Sequence, residues 1–207
     1  MNGAERMNRP IRMTIAVLAA AALPAVPAAA QFSDSYKFLK AVRDADGDKA
    51  TEALSSTANV IVNTRDYNTG ETALHIVVKR RDMTWLGFLI SKGAKPDARD
   101  SQGNTPLMIA AQIGFEDGVQ VLLGQRASVD LENNKGETPL IAAVHNRDLP
   151  MVRLLLSTGA NPLRTDRIAG KSARDYASED PRAAAILKQL SDAKPAKPSA
   201  KMSGPTL

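Results

Sequence analysis

Gly103-Asn104-Thr105-Pro106-Leu107-Met108-Ile109-Ala110-Ala111 turns into a helix within nine residues. Glycine accepts turn conformations that other residues resist. Thr105 can cap the helix through its side-chain oxygen, and Pro106 suits the first helical position, where its missing N–H costs nothing. Leu107 and the small pair Ala110-Ala111 then offer a face on which another helix can pack closely. A second helix is predicted just beyond, with Val119, Leu122 and Leu123 at helical spacing.

The same pattern recurs on both sides. Gly70, Gly103 and Gly136 stand 33 residues apart, and Gly170 follows after 34. A hydroxyl stands two residues after each: Thr72, Thr105, Thr138 and Ser172. Leu74, Leu107 and Leu140 keep the period, as do Ala94, Ala127 and Ala160. In the third unit Asp148 is placed to cap the second helix, with Pro150 in its first turn and Val152, Leu155 and Leu156 on one face. A unit that recurs at such a period buries its apolar face only by stacking on its neighbours. The spacing therefore predicts an all-α solenoid of helix–turn–helix units joined by hairpin loops. With aromatic residues at only 4%, its core must be built from small and medium side chains.

Thr72-Ala73-Leu74-His75-Ile76-Val77, Thr105-Pro106-Leu107-Met108-Ile109-Ala110 and Thr138-Pro139-Leu140-Ile141-Ala142-Ala143 resemble the T-P-L-H-x-A signature of the ankyrin-repeat family. Gly93-Ala94 and Gly159-Ala160-Asn161-Pro162 resemble its closing turn. The likeness spans about residues 65–190 and implies repeats near 66–99, 100–132 and 133–165 with a closing cap at 166–190. Phe38 to Asp48 resembles the start of a degenerate capping repeat over 31–64, about three residues out of phase, so its register stays open. The resemblance also implies structural roles for Thr72, His75, Thr105, Pro106, Thr138 and Pro139, with the His75 imidazole bridging helix and turn. Departures are visible. Val77-Val78 replaces the usual small pair, and Arg126 stands where the glycine of Gly-Ala is expected. Gly87 and Gly118 fall inside second helices, each at about 1 kcal/mol relative to alanine.

The two ends read differently. Arg6, Arg9 and Arg12 precede the apolar run Ile15 to Leu23, prolines at 24 and 27, and Ala28-Ala29-Ala30. This is the pattern of a cleavable secretory signal over 1–30, too short to span a membrane and leaving no integral span once removed. Met7 and Met13 are alternative starts. The alanine-rich style points to a Gram-negative bacterium and its periplasm. Residues 191–207 alternate Lys, Pro and Ser without periodicity, as in a disordered tail. Cysteine is absent, so no disulfide staples the fold.

Of the net charge of +5, +2 belongs to the first twelve residues, and +2 to the tail through Lys194, Lys197 and Lys201 against Asp192. The remaining +1 is no nucleic-acid footprint. No metal or cofactor is expected. Neither histidine sits in a metal-binding or catalytic motif, and Gly170-Lys171-Ser172 lacks the earlier glycine of a phosphate loop, since position 165 is threonine. Binding of another protein by a monomeric array is the expectation, not catalysis. The resemblance places partner contacts on the hairpin tips and the exposed ends of first helices: Tyr67, Asn68, Ser101, Gln102, Asn134 and Lys135 on the tips, and Lys79, Arg80, Gln112, Ile113 and His145 on the helices. Arg99, on the second hairpin, joins them. Lys79-Arg80-Arg81 is either a patch for an acidic partner or a solvated helix end that suits the helix dipole. Ile113 is taken as apolar without structural need. Among periplasmic relatives, protection or inhibition of the partner are the open roles. The alternative is an envelope-associated structural protein held by its basic tail.

Overall fold

The computed structural model of the chain describes residues 28–193. The expected signal over 1–30 lies outside the described residues except for its last three positions, and so does the tail from residue 194. Within the described residues ten α-helices form and no strand, apart from an isolated bridge between Thr165 and Ser172. They pair as α1 (Ala28–Arg43) with α2 (Gly47–Thr57), α3 (Ala73–Lys79) with α4 (Met83–Ser91), and α5 (Pro106–Gln112) with α6 (Glu116–Gly124). Then come α7 (Pro139–His145) with α8 (Leu149–Ser157), and α9 (Ala173–Glu179) with α10 (Ala184–Asp192). The first helices α1, α3, α5, α7 and α9 stack in sequence, while α4 packs on α6 and α8 on α10 in an outer layer.

Seven residues, the length of α3, α5, α7 and α9, are too few to hold a helix alone in water. Caps and packing supply the difference. Thr105 Oγ1 accepts the Met108 N–H at 3.2 Å, and Thr138 Oγ1 accepts that of Ile141 at 3.2 Å. Pro106 and Pro139 open their helices as the sequence implies. Asp148 caps α8 by accepting the Met151 N–H at 2.9 Å. Leu107, Leu140, Ala110, Ala111 and Ala143 are fully buried, and so are Val77 and Val78.

The first unit's register is settled by its turn. Ala45, Arg81, Gly114 and Arg147 all take positive φ between paired helices. Ala45 precedes Arg81 by 36 positions, against 33 for each later step. The three extra residues are taken up by the longer α2 and the 3-10 turn Ala58–Asn63 that follows it. At the other end α10 runs to Asp192, two residues past the expected limit of the closing repeat.

Two departures from the family pattern now have physical readings. A Cβ on Gly118 would collide with the Phe115 ring, so this glycine makes room for an aromatic that is 6% exposed. Gly87 faces open space, and its cost stands uncompensated. Arg126 adopts φ +61, the conformation that Gly93 and Gly159 take at the same place in their units. A side chain there strains the backbone by roughly 1–2 kcal/mol, partly offset because arginine is stiffer than glycine when unfolded. Arg126→Gly is therefore expected to stabilise the protein by about 0.5–1 kcal/mol, raising Tm by roughly 1–3 °C in thermal melts. A lower Tm would show that the Arg126 side chain contributes more than its backbone costs.

Candidate partner-binding surface

Each hairpin is tied by one side chain. Asp66 Oδ1 accepts the N–H groups of Asn68 and Thr69, and Asp100 Oδ1 those of Gln102 and Asn104. Asn133 Oδ1 accepts from Lys135 and Glu137, and Asp166 Oδ1 from Ile168, Ala169 and Gly170. The Thr69 N–H and the Arg43 guanidinium, 2.6 Å away, hold Asp66 down at about 2. Asp166 is buried, which favours its neutral form. The Tyr176 hydroxyl and the Ala169 and Ile168 amides overcome this and keep it below the usual carboxylate range. The same bond pushes Tyr176 up to about 12.

Consecutive hairpins are then stitched by backbone. The Ser101 N–H donates to Thr69 O at 2.9 Å, Asn134 N–H to Gln102 O at 2.9 Å, and Arg167 N–H to Lys135 O at 2.8 Å. This approach explains the glycine column. A Cβ on Gly70, Gly103 or Gly136 would lie 2.6, 2.7 or 2.6 Å from the amide nitrogen of Ser101, Asn134 or Arg167. Gly170, after which no further hairpin follows among the described residues, meets nothing within 4 Å.

Beneath the hairpins runs a buried polar chain. His75 is fully buried, its Nδ1 accepting the Thr72 N–H at 3.1 Å, which places the ring proton on Nε2, 3.0 Å from the Asn104 carbonyl. Asn104 Oδ1 accepts from Asn133 Nδ2 at 3.1 Å, and Asn133 Nδ2 also donates to Glu137 at 2.8 Å. The Asp66, Asp100, Asn133 and Asp166 column was not singled out in the sequence, though its spacing of 34, 33 and 33 residues carries the signal.

The tip residues Tyr67, Asn68, Ser101, Gln102, Asn134 and Lys135 are all exposed on these tied loops, Tyr67 at 95%. Gln112 and His145 are exposed at the last positions of α5 and α7, and the His145 ring meets Tyr176 edge-on at 4.4 Å. The charged candidates are exposed and also bonded within the array, and one expectation, that Ile113 has no structural need, is corrected. The basic cluster is engaged within the array: Lys79 pairs with Glu71, Arg81 donates to the Ile113 carbonyl, and Arg80 bonds the Val42 carbonyl at 2.7 Å and Asp82 at 3.0 Å. Arg80 thus ties α3 to the last turn of α1, a bond its charge pattern could not announce. Arg99 likewise donates to the Glu132 carbonyl. Ile113 is half-buried against the core, so it does have a structural need.

Burial lowers the His75 pKa from its ordinary 6.5. The unfolded chain then takes up a proton before the folded one does. The stabilisation from neutral His75 is present above pH 6.5 and is lost as pH falls through the folded value. Between about pH 7 and 5, Tm is expected to fall, and less steeply in His75→Gln. Equal slopes in the two proteins would contradict the buried neutral imidazole.

A family model for ankyrin repeats matches three times, over residues 29–133, 86–166 and 111–201. A human protein, Transient receptor potential cation channel subfamily A member 1, is 33% identical over 113 residues, 54% of this chain and 10% of its own length. B-cell lymphoma 3 protein homolog of Mus musculus is 35% identical over 114 residues, 53% of this chain and 25% of its own. A putative ankyrin repeat-containing protein of Treponema pallidum is 33% identical over 109 residues, 52% of this chain and 36% of its own. The matches thus span between a tenth and about a third of these relatives. Period, caps, hairpin lattice and family match agree, and the chain belongs to the ankyrin-repeat family.

Proposed function

We propose that this chain is a protein-binding module of the Gram-negative periplasm, which grips its partner across the hairpin tips and the exposed ends of the first helices. Ankyrin repeats typically bind other proteins, and that general role is the starting point. The observation that carries the reading here is the lattice under the tips. Tyr67, Gln102 and Lys135 stand exposed on loops that are each knotted by a buried or half-buried Asp or Asn. Loops fixed in this way lose little conformational entropy on association, so modest contacts suffice for affinity. An exposed tyrosine on rigid backbone is also a favoured hot-spot residue.

Binding fits the histidines better than turnover does. His75 is fully buried in the network that joins two repeats, out of reach of any substrate. His145 lies against Tyr176 at the end of α7. Export rests on the basic and apolar pattern of residues 6–30. Protection and inhibition of the partner remain the two roles within this reading.

The mature chain, immobilised and exposed to periplasmic extract, is expected to retain one specific protein. Tyr67→Ala, Gln112→Ala and Lys135→Ala together are expected to weaken that capture by roughly tenfold or more, with the helical circular dichroism unchanged. Absence of any specific partner, or full retention by the triple variant, would overturn the proposed mode of binding.

A further inference from the structure

Three arginines from two loops, Arg99 before α5 and Arg164 with Arg167 between α8 and α9, converge on one glutamate of a third loop. Arg164 donates Nε to Glu132 Oε1 at 3.2 Å and adds a second bond from Nη2, while Arg167 Nη2 donates to Glu132 Oε2 at 3.1 Å. Arg99, 33 positions before Glu132, donates to the Glu132 carbonyl. Together they line an open cavity of about 320 Å3 that Leu131 and Asp130 help to wall. Four N–H groups of the fan go to Glu132, whereas each guanidinium carries five. The Glu132 side chain is 20% exposed, but those of Arg164 and Arg167 are 43% and 66% exposed. The fan is thus held in place from within and open to solvent from without. Next to it in sequence stand Leu163 and Ile168, large apolar residues at 48% and 77% exposure.

We propose that Arg99, Arg164 and Arg167 form a seat for carboxylate side chains of an acidic segment of the partner protein, and that Glu132 is an internal stand-in for one such carboxylate. The inference rests on the protein-binding reading above and adds to it a place and a partner chemistry. Guanidinium forks match carboxylates in bidentate geometry, and Glu132 already engages two of them, Arg164 through Nε and Nη2 on one oxygen and Arg167 through Nη2 on the other. Leu163 and Ile168, adjacent in sequence to Arg164 and Arg167, add exposed apolar surface, and arginine beside apolar surface is the composition of protein interfaces. A phosphate polymer or an anionic membrane asks instead for many uncompensated cations. Here the three guanidinium charges face Glu132 and Asp130 in the same cavity. Short-range recognition of individual carboxylates is what remains.

The test uses the mature chain and a fluorescent eight-residue peptide of alternating glutamate and leucine, followed by anisotropy. A glutamine-for-glutamate peptide and vesicles containing phosphatidylglycerol serve as comparisons. The acidic peptide is expected to bind in a salt-sensitive manner, and the glutamine peptide roughly tenfold more weakly. Arg164→Gln with Arg167→Gln is expected to weaken binding of the acidic peptide by roughly tenfold. Arg164→Lys with Arg167→Lys keeps the charge and guards against misfolding, yet is expected to lose several-fold in affinity because the fork is gone. Glu132→Gln removes the internal competitor and should tighten binding.

The proposal is overturned by equal binding of the two peptides, by indifference to the arginine substitutions, or by weaker binding in Glu132→Gln. Vesicle binding that depends on these arginines in place of peptide binding would also overturn it. If a natural partner is retained by the arginine variants but lost when the tip residues are changed, the seat is wrong and the protein-binding reading stands. If the wild-type chain retains no partner, both fall.

Discussion

The backbone bond from each hairpin to the one before it sets the geometry of the whole array. Ser101 to Thr69, Asn134 to Gln102 and Arg167 to Lys135 lie 2.8–2.9 Å apart, donor to acceptor. Each bond contributes only about 1 kcal/mol net, yet its geometric demand is severe. It brings the donor's amide nitrogen so near the preceding hairpin that only glycine fits at positions 70, 103 and 136. The repeat spacing, the stacking of seven-residue helices and the row of exposed tips all follow from keeping that contact in register. Side chains reinforce it across the same gap. Asn63 binds the Gly93 carbonyl and the Lys95 amide, Asp97 accepts from Ser128, and Asp130 accepts from the Asn161 amide.

The fold was legible because its rules are local and repeat. Thr105, Pro106 and Leu107 each have one physical reason for their place, and the same reasons return 33 residues later in Thr138, Pro139 and Leu140. The register of the first unit was not legible, because it depends on how α2 absorbs three extra residues. The sequence shows only that the unit is about three residues out of phase, and the positive φ of Ala45 places its turn. Gly118 was legible as a cost to its helix but not as the space for Phe115, a ring three positions earlier that folds back over it.

The surface was legible in part, and the division has a simple cause. Exposure of Tyr67, Gln102 and Lys135 follows from phase alone. Whether a charged side chain is free depends on what stands opposite, often more than 30 positions away. Arg80 reaches the Val42 carbonyl 38 residues earlier, and Arg81 reaches that of Ile113 32 residues later. Neither bond leaves a trace in composition. The same distance dependence hid the arginine fan: Arg99, Glu132, Arg164 and Arg167 look unrelated until successive hairpins place them around one cavity.

The most direct test of this account is amide hydrogen exchange at Ser101, Asn134 and Arg167 in the folded protein. Hairpin tips on a protein surface ordinarily exchange fast, through local opening. If the hairpin-to-hairpin bonds hold the array in register, these three amides should be as protected as those of Ile109 and Ala142 inside α5 and α7. Exchange at the rate of an unstructured loop, with the helices still protected, would show that packing alone sets the repeat and that the hairpin lattice is not its foundation.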